Sequence, residues 1–238
     1  MAIVTGASRG IGRAVANSLA AEGASVVLAA RDRGRLETVA REIVDASGRT
    51  DSALSVPTDL TSEAEIDRLV KRARERFGRL DILVNNAGVA VKAPLENTKT
   101  EDWDRLMAVN ARAPFLLCRA AVPLLRESGG GVIVNIASVV GVKGYVQQAA
   151  YTASKHALMG MTKVLAQEVK ADGIRVHAVC PGGVATDMVK RTRPDLDDSV
   201  LMSPDEIAEI VLFLIAGRGN AVIDEIHVRR SASEPWFS

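Results

Sequence analysis

Little in this chain of 238 residues points to cross-links, metals or a strong surface field. Cysteine occurs only at Cys118 and Cys180, each inside an apolar stretch. Two such residues make no disulfide framework and read as buried free thiols of a reducing compartment. Histidine occurs three times with no Cys/His cluster, so no metal site is expected. Aromatics are 3% of the residues, so the core must come from Ala, Val, Leu and Ile. Thirty basic residues against 29 acidic ones leave a net charge of +1. That balance offers no field for nucleic acid or an anionic membrane, and neither is expected as a partner. The apolar run Ile210 to Ala216 is far short of the ~20 residues of a membrane span. Only Ala2, Ile3 and Val4 are apolar before a glycine turn, so no signal peptide is expected and the expected location is the cytoplasm.

What is present is the balance of a globular chain, 47% hydrophobic and 25% charged. Short apolar runs alternate with amphipathic ones. Strands are expected at Ala2–Thr5, Ser25–Ala30, Ala53–Val56, Ile82–Val84, Gly131–Ile136, Arg175–Val179 and Ala221–Val228. Helices are expected at Ile11–Ala21, Gly34–Ala46, Ser62–Phe77, Glu101–Glu127, Tyr151–Ala171 and Pro204–Ile215. Ser62 with Glu65 suggests a capping box, and Ser203 precedes Pro204 at a first turn. Most of the strands are apolar on both faces, as in a covered parallel sheet. The order implies an α/β, doubly wound Rossmann fold with right-handed crossovers. With no linker or repeat, residues 1–238 read as one domain.

The turn Thr5-Gly6-Ala7-Ser8-Arg9-Gly10-Ile11-Gly12 joins the first strand to the first helix. Glycines there let the backbone approach a pyrophosphate at the helix N-terminus, so Gly6, Ser8, Arg9, Gly10, Ile11 and Gly12 are candidate cofactor contacts. A ribose-binding acid would end the second strand, but Ala29 and Ala30 stand there and Arg31 follows. Arg9 and Arg31 suit a 2′-phosphate, which favours NADP(H) and leaves NAD(H) possible. Asp32, twenty residues after Gly12, is the competing ribose acid.

Tyr151 and Lys155 are four residues apart on an expected helix and share a face, where an ammonium would favour the phenolate. Ser138 follows the Gly131–Ile136 strand at the edge where ligands bind, and so does Asn85-Asn86-Ala87-Gly88 after the fourth strand. Asn110 interrupts an amphipathic helix and, if buried, needs partners.

Together these residues resemble the short-chain dehydrogenase/reductase family. The likeness rests on Thr5-Gly6-x-x-x-Gly10-x-Gly12, Asp59-Leu60, Asn85-Asn86-Ala87-Gly88, Asn110, Ser138, Tyr151-x-x-x-Lys155 and Pro181-Gly182-x-Val184-x-Thr186, in order over residues 2–186. The resemblance implies that Tyr151 is the acid–base residue and that Ser138 holds the substrate oxygen. It further implies that Lys155 binds the nicotinamide ribose and lowers the Tyr151 pKa, and that Asn110 holds a relay water. Hydride would pass from the nicotinamide to a carbonyl carbon. By the same resemblance Asp59 and Leu60 meet the adenine, Asn86, Ala87 and Gly88 line the adenosine, and Pro181, Gly182, Val184 and Thr186 lie along the nicotinamide. A seven-stranded sheet in order 3-2-1-4-5-6-7 and a homodimer or homotetramer are also implied.

The chain departs from the family pattern in its early first strand, its short substrate lid at about 187–203, and its tail Val228-Arg229-Arg230 to Ser238, which lacks the usual Asp-Gly-Gly ending. The expected pocket wall is small and apolar, made of Val89, Ala90, Val91, Val139, Val140, Gly141, Tyr145 and Met188, with no charged anchor. The resulting expectation is an oxidoreductase interconverting a ketone or aldehyde and an alcohol. Lys190, Arg191 and Arg193 on the lid keep a 3-oxoacyl thioester on an acidic carrier among the candidates, against the plainer reading of a solvated lid. The alternatives are a non-catalytic cofactor-binding or regulatory protein, or an epimerase or dehydratase on the same fold.

Overall fold

In the computed structural model, which describes residues 1–235, one parallel sheet runs through the molecule. Its strands are β1 (Ala2–Thr5), β2 (Val26–Ala30), β3 (Ala53–Pro57), β4 (Ile82–Asn85), β5 (Gly131–Ile136), β6 (Ile174–Pro181) and β7 (Glu225–Val228). Their order is 3-2-1-4-5-6-7, as the resemblance implies, and every pairing is parallel. The helices are α1 (Gly10–Ala21), α2 (Arg33–Ser47), α3 (Glu63–Phe77), α4 (Thr100–Met107), α5 (Ala113–Glu127), α6 (Ala149–Glu168), α7 (Asp187–Thr192) and α8 (Pro204–Ala216).

The side-chain alternation of the strands builds two large cores, beside a small cluster of Ala137, Leu158, Met159, Ala178 and Cys180. Ala2 and Val4 of β1, with Val132, Val134 and Ile136 of β5, face α1, α2 and α8. Ile3 and Ile133 face the opposite way, onto α3 and α5. Both layers are aliphatic, as the shortage of aromatics requires. The continuous run Thr100–Glu127 has the length and apolarity of a membrane span by composition, but 56% of its most apolar stretch is buried in this interior.

Several boundaries differ from expectation. The helix expected over Glu101–Glu127 is broken by a π-helical turn, Ala108–Arg112, centred on buried Asn110. The last strand is only Glu225–Val228, because β6 offers it just the four partners Ala178–Pro181. The expected lid contains α7, whose six residues are too few to carry a hydrophobic period. Ser62 caps α3 by accepting from the Glu65 amide, but the Glu65 carboxylate accepts from the Asp59 amide at 2.6 Å instead of closing the box. The closed box is at α8, between Ser203 and Glu206. Residues 236–238 of the tail lie outside the described residues.

A polar chain crosses the interior. Asn85 Nδ2 donates to Asn135 Oδ1 at 2.8 Å, Asn135 Nδ2 donates to Thr162 Oγ1 at 2.8 Å, and Thr162 donates to the Leu158 carbonyl at 2.7 Å. All three residues are buried, so each bond replaces water that no longer reaches the group. Asn135→Ala is expected to lower stability by about 1–3 kcal/mol in urea unfolding. If the chain is coupled, adding Thr162→Val to that variant costs less than Thr162→Val does in the wild type.

Candidate active site

The C-terminal ends of β1, β4, β5 and β6 open onto a cleft of about 1280 Å³. The glycine turn forms its floor. Gly6 and Gly10 hold left-handed φ of 66° and 53°. A Cβ at Gly12 would lie 2.4 Å from Asn86 Nδ2 and 2.4 Å from the Gly6 carbonyl oxygen, so this glycine is dictated by contact between two loops. The Thr5 hydroxyl fastens the same loops by accepting the amides of Asn86 at 3.0 Å and Ala87 at 3.1 Å. Gly6, Ser8, Arg9, Gly10 and Ile11 line the cleft, while Gly12 packs behind them.

The far end of the cleft is cationic. Arg31 follows β2, and Arg35, one turn into α2, lies beside it. Arg35 was not singled out from the sequence because an exposed helical arginine has no distinguishing pattern. Asp32 caps α2, accepting the Arg35 amide at 3.1 Å and pairing with Arg35 Nε at 3.3 Å. Arg9 pairs with Asp187 of α7 at 2.7 Å. Both partners are about half exposed, so the pair is weak and open to exchange. Asp59 and Leu60 form the adjoining wall. Hydrogen bonds from the Thr61 amide and hydroxyl hold the Asp59 carboxyl below its usual range, and Arg31 adds to the effect.

Asn86, Ala87 and Gly88 line the middle of the cleft, and Pro181, Gly182, Val184 and Thr186 line its opposite side with Lys155. Asn110 is fully buried. Its Oδ1 accepts the Val89 amide at 2.9 Å, and its Nδ2 donates to the Val89 carbonyl at 2.9 Å and to Ser154 Oγ at 3.0 Å. The side chain is thus a tie between the loop after β4 and α6, with no donor left over for a water. Val89 and Ser154 were not foreseen as its partners, because only the fold brings them to it.

Tyr151 opens into a second, smaller cavity of about 330 Å³, and Ser138 lines both cavities. Burial pushes the Tyr151 pKa up to about 12, against a smaller opposite pull from the Ser138 hydroxyl. The lowering expected from Lys155 is therefore not what this structure shows. Lys155 Nζ donates to the Ile136 carbonyl at 2.9 Å, and its burial brings its own pKa down to about 8. The thiols of Cys118 and Cys180 are also raised by burial, to about 12 and about 11, which leaves them unreactive.

Ala90, Val91, Val139, Val140, Tyr145 and Met188 line the smaller cavity as expected, while Val89 belongs to the larger cleft and Gly141 is buried against Met159, outside both. The expectation that no charged group stands there is overturned. Lys92, Lys143, Arg193, Arg229 and Arg230 reach its wall, the last two because the tail folds back over it. Two of the three lid cations have exposed partners within the lid, Lys190 with Asp198 at 2.8 Å and Arg193 with Asp195 at 2.7 Å.

Comparison with known proteins agrees with this geometry. The family model described as short chain dehydrogenase matches residues 1–197, and the chain belongs to that family. It is 41% identical to a D-beta-hydroxybutyrate dehydrogenase of Rhizobium meliloti over 197 residues, covering 82% of this chain and 75% of that one. A metagenomic short-chain oxidoreductase solved in complex with NADP superposes with a TM-score of 0.84 at 39% identity, covering 98% of this chain and 97% of that one. A 3-ketoacyl-(acyl-carrier-protein) reductase from Brucella melitensis complexed with NADH superposes with a TM-score of 0.87 at 34% identity, covering 96% and 95%. The family makes the protein an oxidoreductase, and both of these solved relatives hold a nicotinamide cofactor. The residues present fit such a group, since the glycine turn leaves no Cβ between it and the α1 N-terminus.

Lys155 supplies a test of the site's electrostatics. Between pH about 8 and 10.5 the unfolded chain keeps a lysine proton that the folded chain has lost, so folding is favoured increasingly as pH rises through that window. The melting temperature of the wild type should therefore gain on that of Lys155→Met between about pH 7 and about pH 10. A constant difference would mean that this amine is not depressed.

Proposed function

We propose that the chain is an NADPH-dependent reductase interconverting a ketone or aldehyde and an alcohol. One observation carries the reading: Ser138 belongs to both cavities and Tyr151 stands beside it, so a carbonyl held there meets the end of the cofactor cleft. When bound, the nicotinamide supplies or takes up the hydride. Ser138 orients the carbonyl oxygen. Tyr151, kept protonated at neutral pH by its burial, donates the phenolic proton to that oxygen. Lys155, still largely charged at neutral pH, favours the resulting phenolate and reaches the ribose side of the cleft.

The preference for NADPH rests on the N-cap role of Asp32, which occupies the acid expected to meet a ribose hydroxyl, and on Arg9, Arg31 and Arg35 around the same end. A carrier-bound 3-oxoacyl thioester stays a candidate, since the pairs of Lys190 with Asp198 and of Arg193 with Asp195 are exposed and open to exchange, like that of Arg9 with Asp187. A homodimer or homotetramer belongs to the same proposal. Phe115 on α5 and Val164 on α6 are half exposed, and β7 leaves an open sheet edge. Buried free thiols agree with a cytoplasmic, reducing location.

Tyr151→Phe should lower kcat by about 100-fold or more while the dissociation constant for NADPH, read by fluorescence titration, stays within about twofold. Retained turnover with a carbonyl substrate would remove Tyr151 from the acid role, and cofactor cycling without net oxidation would favour an epimerase or dehydratase. Arg31→Ala should weaken NADPH about tenfold and leave NADH unchanged. Tighter binding of NADH than NADPH by the wild type would overturn the cofactor assignment.

A further inference from the structure

The smaller cavity is apolar beside Tyr151 and cationic where the C-terminal tail crosses it. Five cations reach its wall, Lys92, Lys143, Arg193, Arg229 and Arg230, against one carboxylate, Glu234. They are not equivalent. Arg193 is paired with Asp195, and Lys143 lies over the Tyr145 ring, 5.2 Å from its centroid. Arg229 is a tail fastener: its Nη1 donates to the carbonyls of Arg230, Ser231 and Ser233 at 3.1, 3.2 and 2.9 Å. Those bonds, with the Ser233 amide on the Arg230 carbonyl at 2.9 Å, fold the tail back after β7. Arg230 is thereby laid over Gly183, where a Cβ would stand 3.3 Å from Arg230 Cδ and 3.6 Å from its Nε. It is half-buried there. Among the described residues no carboxylate lies within ion-pair distance of Arg230 or Lys92.

A guanidinium held on a partly enclosed wall without an ion-pair partner favours an anion, and its planar fork matches a carboxylate. The cavity, about 330 Å³, is at the small end for ligand sites. We propose that the substrate is a small oxo acid, with its carbonyl at Ser138 and Tyr151 and its carboxylate anchored by Arg230 with Lys92. This rests on the reductase reading above and names the substrate class of that site. The tail is thus a specificity element in place of a carbonyl pocket of purely apolar wall.

The test is calorimetric titration of the NADP⁺-loaded protein with pyruvate, acetoacetate and levulinate, each beside its methyl ester, followed by kcat/KM for the same pairs with NADPH. The best acid should bind about tenfold tighter than its ester or better. Arg230→Met should collapse that acid-to-ester ratio in both readouts, and Arg230→Lys should retain most of it, at unchanged melting temperature. Esters that bind as tightly as their acids, or a ratio indifferent to Arg230→Met, would overturn the anchor. Inorganic phosphate displacing the best acid at equal concentration would overturn the carboxylate assignment. The two readings fail separately. Esters reduced with no preference for acids remove the anchor and leave the reductase, whereas tight acid binding with no carbonyl reduced removes the reductase and leaves the anchor.

Discussion

Seven strands run the same way, and this constraint organises the whole molecule. A parallel sheet needs a crossover between neighbours, so each strand delivers its following loop to one common edge. The glycine turn after β1, the Asn86 loop after β4, Ser138 after β5 and Pro181 at the end of β6 therefore meet without any direct pairing in sequence. The sheet can be covered on both faces because Ile3 and Val4 point to opposite aliphatic cores. That leaves the edge as the place where polar groups gather.

At this edge, buried amides fasten what the strands only bring near. Asn110 uses both ends of its carboxamide to bind the Val89 peptide and Ser154, joining the loop after β4 to the helix that carries Tyr151 and Lys155. The π turn around it is where the long helix gives up regular geometry for this tie. The same burial sets the ionisation of the neighbouring groups. It raises the Tyr151 pKa to about 12 and lowers that of Lys155 to about 8, so that at neutral pH the phenol is protonated and the amine is still largely charged.

Charge is divided along the site in the same spirit. Lid acids meet lid bases at Lys190–Asp198 and Arg193–Asp195, and Asp187 reaches across to Arg9. The tail arginines instead face the smaller cavity. A nearly neutral chain thus carries a locally basic wall, which net charge has no means of revealing.

Much of this was legible in the residues. Apolar runs separated by amphipathic ones announced the parallel sheet, since hydrophobic periodicity is a local property. Gly6, Gly10 and Gly12 marked the turn because left-handed backbone and loop contact leave little choice of residue. Tyr151 and Lys155 share a helical face by spacing alone. Other features had no local signal. The partners of Asn110, the Asn85–Asn135–Thr162 chain, the capping role of Asp32, the place of Arg35 and the fold-back of Arg229 and Arg230 all depend on residues distant in sequence or on a turn's conformation. Patterns in the sequence determined which elements form and which faces they bury, because these follow from spacing along the chain. Which polar groups are paired, which stay charged and which face a substrate was decided only by tertiary structure, because desolvation and hydrogen bonding depend on neighbours in space.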